Sequence, residues 1–182
     1  IYTLIDTLSL HDALPISDAL CAYDTDVAFT GDVTDEADNC DVTLVATYTD
    51  AAPMPGACLG EWTIVRTWNL EDCSGNDAIT KTQTITVLDN IAPSITCPPA
   101  DLTLECNATG DFTVPNNTTI NNWLNSATGS DACGTVVITN NYSATGYSDL
   151  CGATGIQVVT FTATDACGLT STCTKTDRKS VV

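Results

Sequence analysis

Ten cysteines recur in a pattern that repeats. Cys21, Cys40, Cys58 and Cys73 lie 19, 18 and 15 positions apart, and Cys106, Cys133, Cys151 and Cys167 lie 27, 18 and 16 apart. The residues around them repeat too. Asp38-Asn39-Cys40 answers Asp131-Ala132-Cys133, and Asp72-Cys73-Ser74-Gly75 answers Asp165-Ala166-Cys167-Gly168. Thr80-Lys81-Thr82 answers Thr174-Lys175-Thr176. The pattern implies two copies of one unit of roughly 75–85 residues. Units this small bury limited apolar surface, so covalent staples make physical sense.

An even count of cysteines in a chain of this length points to disulfides and an oxidising compartment, hence an extracellular or cell-surface location. Zinc would favour Cys-x-x-Cys pairs with histidine nearby. No such pair occurs, and the single histidine, His11, lies outside both repeats. The net charge of −18 excludes a nucleic-acid binder, which needs a basic surface. It also excludes attachment to an anionic membrane and favours cation binding. No apolar run approaches the ~18 residues that a membrane span requires.

The two ends differ from the rest. Residues 1–17, with Thr7-Leu8-Ser9-Leu10-His11-Asp12-Ala13-Leu14-Pro15-Ile16-Ser17, resemble the translated read-through of a sequencing adapter. Asp177-Arg178-Lys179-Ser180-Val181-Val182 resembles the same kind of tail, and two of the five Lys and Arg residues fall there. On this expectation the repeats occupy residues 18–92 and 93–176, and the chain is a piece of a longer array.

Within the repeats the residues alternate as strands do. Asp41–Thr49, Trp62–Leu70 and Ile79–Val87 are rich in β-branched residues, and Thr135–Tyr142, Gly155–Thr164 and Ser171–Thr176 are their counterparts. Clusters of Gly, Pro, Asn and Asp separate them. One helical turn is expected at Ile120–Asn125. Trp68 and Phe161 align and are expected to fill the core. Short strands at regular spacing imply an all-β chain of tandem sandwiches. Val87–Thr96 reads as a stiff junction, because Pro93 interrupts it and no Gly/Ser-rich slack follows.

Ala92-Pro93-Ser94-Ile95-Thr96-Cys97-Pro98, Asp38-Asn39-Cys40, Thr162-Ala163-Thr164-Asp165-Ala166-Cys167-Gly168 and Thr172-Cys173 together resemble the hyalin-repeat (HYR-like) family of immunoglobulin-like modules. Bacterial members occur in tandem in large secreted surface proteins. The resemblance implies two tandem immunoglobulin-like β-sandwiches with disulfide staples, and adhesive or spacer roles rather than catalysis. The first copy departs from the pattern, since it lacks counterparts of Cys97 and Cys173 and has Ile79 where Cys173 stands.

Sequence alone leaves many pairings of ten cysteines open. In an immunoglobulin-like topology Cys40 and Cys73 lie at one end of the sandwich, and Cys21 and Cys58 at the other. The expected bridges are then Cys21–Cys58 and Cys40–Cys73. By repetition Cys106–Cys151 and Cys133–Cys167 follow, and Cys97–Cys173 ties the first and last strands of the second unit.

The repeats contain no histidine, so a Ser-His or Cys-His nucleophile pair cannot be assembled, and no enzyme activity is expected. Calcium is the expected cofactor, if any, because it takes six to eight oxygen ligands. Asp89-Asn90-Ile91-Ala92-Pro93 resembles the junction motif of cadherins, and Asp89, Asn90, Asp131 and Asp165 are the candidate ligands. Asp38, Asp41 and Asp72 form the equivalent set in the first copy. The competing role for Asp72 and Asp165 is to cap turns through backbone hydrogen bonds. Expected partners are neighbouring repeats, surface glycans or proteins. Two other functions fit the same sequence: a filament subunit assembled by strand exchange, and a carbohydrate-binding module of a secreted enzyme.

Overall fold

Alternation of inward and outward residues sets the strands, which far outnumber helices among the described residues. The computed structural model describes residues 21, 23–33, 36, 44–105, 117–145 and 155–180. The chain divides into two units, Ile1–Asn90 and Ile91–Val182.

In the first unit, a short helix α1 (Val27–Thr30) precedes β1 (Thr47–Asp50), β2 (Met54–Pro55), β3 (Trp62–Asn69) and β4 (Lys81–Val87). β3 is central. β4 runs antiparallel along one edge, from Trp62↔Val87 to Trp68↔Lys81, and β1 and then β2 line the other. Ile64, Arg66 and Trp68 point inward from β3, and Gln83, Ile85 and Val87 do so from β4. Trp68 therefore sits in the core, as the sequence alignment expects. The expected strand Asp41–Thr49 is regular only from Thr47 and runs on to Asp50; residues 41–43 lie outside the described set.

Arg66 is the unexpected member of this core, with no exposed surface. Its Nε and Nη2 donate to the two oxygens of Asp50 at 2.7 and 2.9 Å. Nη1 donates to Thr30 Oγ1 at 2.8 Å, and Nη2 also donates to the Thr25 carbonyl. The guanidinium lies 3.8 Å from the Tyr48 ring centre and 5.6 Å from that of Trp68. The network continues: Gln83 Nε2 donates to the Thr30 carbonyl at 2.7 Å, and Trp68 Nε1 donates to Gln83 Oε1 at 3.2 Å. One buried polar chain thus joins α1, β1, β3 and β4.

The hydrogen bonds from Arg66, followed by its charge, hold the Asp50 carboxyl below the usual carboxylate range, against the opposing effect of burial. A carboxyl depressed in the folded state contributes stability that is present above its unfolded value of about 4 and lost as pH falls through the folded value. The stability gap between the native protein and Asp50→Asn is therefore expected to be constant from neutral pH to about 4 and to close below that. Denaturant melts at a series of pH values measure this. A gap that stays open at the acid end would contradict it.

The second unit contains β5 (Ser94–Thr96), β6 (Leu102–Glu105), helix α2 (Thr118–Leu124), β7 (Thr128–Ser130), β8 (Val137–Asn140), β9 (Gly155–Thr164) and β10 (Thr170–Ser180). A four-stranded sheet has the order β6-β10-β9-β8, and β5 pairs with β7 in a second, two-stranded sheet. The core gathers Leu102 from β6, Val159 and Phe161 from β9, and Ile120, Trp123 and Leu124 from α2, with Ile95, Cys97 and Cys173 packed against it. α2 starts at Asn117, whose side chain accepts from Ile120 N at 3.1 Å and caps the helix. Its buried residues recur at helical spacing. Trp123 meets Phe161 edge-on, with ring centres 5.6 Å apart, and its indole N–H donates to the Ala100 carbonyl at 2.9 Å.

The last strand corrects an expected boundary. β10 does not stop at Thr176 but runs to Ser180, pairing with β9 and, in parallel, with β6 from Asp177↔Leu102 to Ser180↔Glu105. Asp177 and Lys179 face inward, and Lys179 Nζ donates to both oxygens of Asp177. Two charges separated by one residue share a strand face, so each neutralises the other where neither could be buried alone. Residues 177–180, which resemble an adapter-derived tail, are paired in the sheet.

Candidate functional site

Aspartates build the turns that carry the cysteines. Asp165 follows β9, and its Oδ1 accepts from Cys167 N at 2.9 Å and Leu169 N at 2.8 Å. Asp131 opens the link from β7 to β8, and its Oδ1 accepts from Cys133 N at 2.7 Å. Asp72 does the same in the first unit, with Oδ1 accepting from Ser74 N and Asn76 N at 2.8 Å and Oδ2 accepting from Asn76 Nδ2 at 2.7 Å. These hydrogen bonds, led by Asn76, hold the Asp72 carboxyl below its ordinary range. The capping role is real for all three residues.

The 72–76 and 165–169 turns share one backbone. Asp72 N donates to the Asn76 carbonyl as Asp165 N does to that of Leu169, and Gly75 and Gly168 both take a positive φ, 81° and 87°. Only glycine adopts that conformation without strain. In this register Ser74 matches Cys167, and Cys73 matches the exposed Ala166. That offset corrects the expected Cys40–Cys73 bridge. Cys73 is a free, exposed thiol, because its cysteine stands one position too early in the turn to occupy the place of Cys167. Cys40 lies outside the described residues. In the folded, unreduced protein Cys73 is expected to be alkylated by maleimide, and Cys97 and Cys173 only after reduction. Peptide mapping reads this, and protection of Cys73 would contradict it.

Cys97, just after β5, and Cys173, in β10, form a disulfide with Cα atoms 5.9 Å apart. The bridge ties the two-stranded sheet to the four-stranded one. Cys21, Cys58, Cys133 and Cys167 are disulfide-bonded as well. Cys106 and Cys151 lie outside the described residues, as do Asp38 and Asp41.

The candidate calcium ligands fall in both units. Asp89 and Asn90 close the first unit just beyond β4. In the second, Asp165 stands at the end of β9, where Thr164 pairs with Val137, the first residue of β8; Asp131 opens the link leading to that residue. Asp165 is only 8 % exposed, and its Oδ2 is buried without a hydrogen-bond partner. An unpaired buried carboxylate oxygen is costly, and a cation would relieve it. The donors are all oxygens, which suits calcium rather than a thiophilic metal. The Arg66 network and the Asp177–Lys179 pair escaped the sequence reading. A charged residue between two inward-facing apolar ones, as in Ile64-Val65-Arg66-Thr67-Trp68, was the available signal for the first.

Among the described residues, no helix is long and apolar enough to cross a membrane. No family model and no curated protein sequence matches the chain.

Proposed function

We propose that the chain is a non-catalytic pair of immunoglobulin-like modules from a secreted or cell-surface protein, acting as an adhesive or spacer segment. The carrying observation is the Cys97–Cys173 bridge, which fastens the second unit's two sheets across its core. Such a staple persists in an oxidising compartment and gives a small unit the rigidity that a load-bearing segment needs. The parallel pairing of β6 with the final strand β10 also supports a closed module.

Calcium belongs to this proposal as a stabilising ligand of the second unit, held in part by Asp131 and Asp165. The orphaned Asp165 oxygen supports it. Calcium is expected to raise the melting temperature of the intact chain, and Asp165→Asn to abolish the shift. Asp89→Asn and Asn90→Ala test separately whether the end of the first unit contributes. Calorimetry showing no heat, with an unchanged melt, would remove calcium. The module reading is tested by coating beads with the oxidised chain and measuring retention on glycan and protein surfaces. Turnover of a glycoside or peptide panel would overturn its non-catalytic part.

A further inference from the structure

The amide that orients Asp165 belongs to a disulfide-bonded cysteine. Asp165 Oδ1 accepts from Cys167 N at 2.9 Å and from Leu169 N at 2.8 Å, which fixes how the carboxylate sits. Cys167 is held in a disulfide, so its N–H stands on a covalent anchor. Oδ2 is thereby kept in a buried position where it meets no hydrogen-bond donor among the described residues. Asp131 repeats the device. Its Oδ1 accepts at 2.7 Å from the amide of Cys133, which is also disulfide-bonded and is buried. Each candidate calcium ligand of the second unit is thus positioned by the cysteine two residues on.

The first unit supplies the contrast. Its 72–76 turn has the backbone of the 165–169 turn, with Ser74 in the place of Cys167 and Asn76 in the place of Leu169. Asn76 Nδ2 donates to Asp72 Oδ2 at 2.7 Å. That turn satisfies both carboxylate oxygens internally and has no bridge at the equivalent place. The 165–169 turn has the bridge and lacks the donor, because leucine offers none. Shaping a turn accounts for Oδ1 in both copies. It does not account for a buried Oδ2 left open, which is costly unless something fills the gap.

Without its bridge, Cys167 no longer holds its N–H firmly against Oδ1. The carboxylate can then turn its open oxygen to water, where solvation removes the drive to bind an ion. Loss of a group that orients a metal ligand typically weakens the metal about 10–100-fold. We propose that the disulfide at Cys167 controls calcium binding at Asp165, the oxidised turn holding the ion and the reduced turn releasing it. The proposal rests on the calcium reading given above and adds its regulation. A dithiol reductant opens the bridge by thiol–disulfide exchange: two electrons and two protons pass to the protein, leaving two thiols, and the reductant becomes a disulfide. By linkage the effect is reciprocal, so bound calcium holds the bridge against reduction by the same factor.

The first measurement is calorimetric titration of calcium chloride into the intact oxidised chain and into Cys167→Ser, shown by its melt to be folded. Serine is the residue at the equivalent place in the first unit. The variant is expected to bind at least about 10-fold more weakly. In the second, the native chain is equilibrated in a dithiothreitol redox buffer with and without calcium, and alkylation with mass spectrometry gives the reduced fraction at each cysteine. Calcium is expected to lower that fraction more at Cys167 than at Cys97 and Cys173. Leu169→Asn gives Oδ2 the donor that Asn76 gives Asp72, and is expected to keep the bridge while losing the calcium heat. No heat with the oxidised native chain would remove the calcium reading and this proposal with it. Equal affinity in the native chain and folded Cys167→Ser would overturn the redox control alone. So, should that variant not fold, would a reduced fraction at Cys167 that calcium leaves unchanged although the ion binds. Undiminished binding by Leu169→Asn would place the ion elsewhere and overturn the proposal too.

Discussion

Replacing Arg66 with alanine is expected to destabilise the first unit by about 3–5 kcal/mol. The substitution removes a fully buried guanidinium and leaves Asp50, Thr30 and the Thr25 carbonyl without their donor. The cost comes mainly from these stranded groups rather than from the lost attraction. It follows that Arg66→Met combined with Asp50→Leu should cost much less than Arg66→Ala alone, because both charges then leave together. Amide hydrogen exchange across β3 and β4 gives the free energy unit by unit. Equal destabilisation by the single and double changes would show that packing against Tyr48 and Trp68, not the ion pair, sets the value.

The second large effect is expected from Cys97→Ser with Cys173→Ser. The bridge spans 76 residues of sequence, and a closed loop of that length restricts the unfolded chain by about 4.5 kcal/mol in the chain-entropy account. Loss of 2–5 kcal/mol would leave the second unit at or below the margin at which small domains stay folded. The measurement is the melt of the double variant against the native chain, both unreduced. Mild reduction of the native chain should reproduce the variant's melt only if this bridge is the one reduced. A change under about 1 kcal/mol would mean that the unfolded chain is already restrained by other links.

Much of the strand pattern was legible in local sequence. Trp62–Asn69 and Gly155–Thr164 stand close to where their alternation places them, because both run through the middle of a sheet and bury one face. The capped helix was legible except for its start, since the Asn117 cap begins it at Thr118, two residues before the first apolar one. The end of β10 was not legible. Its partner β6 lies far away in sequence, and its composition reads as polar until Asp177 and Lys179 are seen to neutralise one another. At the candidate cation site the aspartates could be picked out, but not the difference between their two oxygens. Sequence names Asp165 as either a cap or a ligand. In the structure Oδ1 caps the turn, and Oδ2 is the atom left over.

Cys73 is misplaced when the cysteines alone are counted. Counting cysteines along the two copies pairs Cys73 with Cys167, whereas the backbone, like the four-residue segments themselves, matches them through Gly75 and Gly168. One residue of offset separates a thiol facing water from a sulfur in a bridge.

The bridge between Cys97 and Cys173 also sets how the second unit would answer a pull. Tension applied to its two ends passes straight through the sulfur–sulfur link, so the 76 residues enclosed never carry it. Rupture of the sheets then yields almost no added reach, and about 250 Å of extensible chain stays locked away. Only reduction frees that length. The unit is therefore a short, stiff link under oxidising conditions and a long, compliant one after reduction.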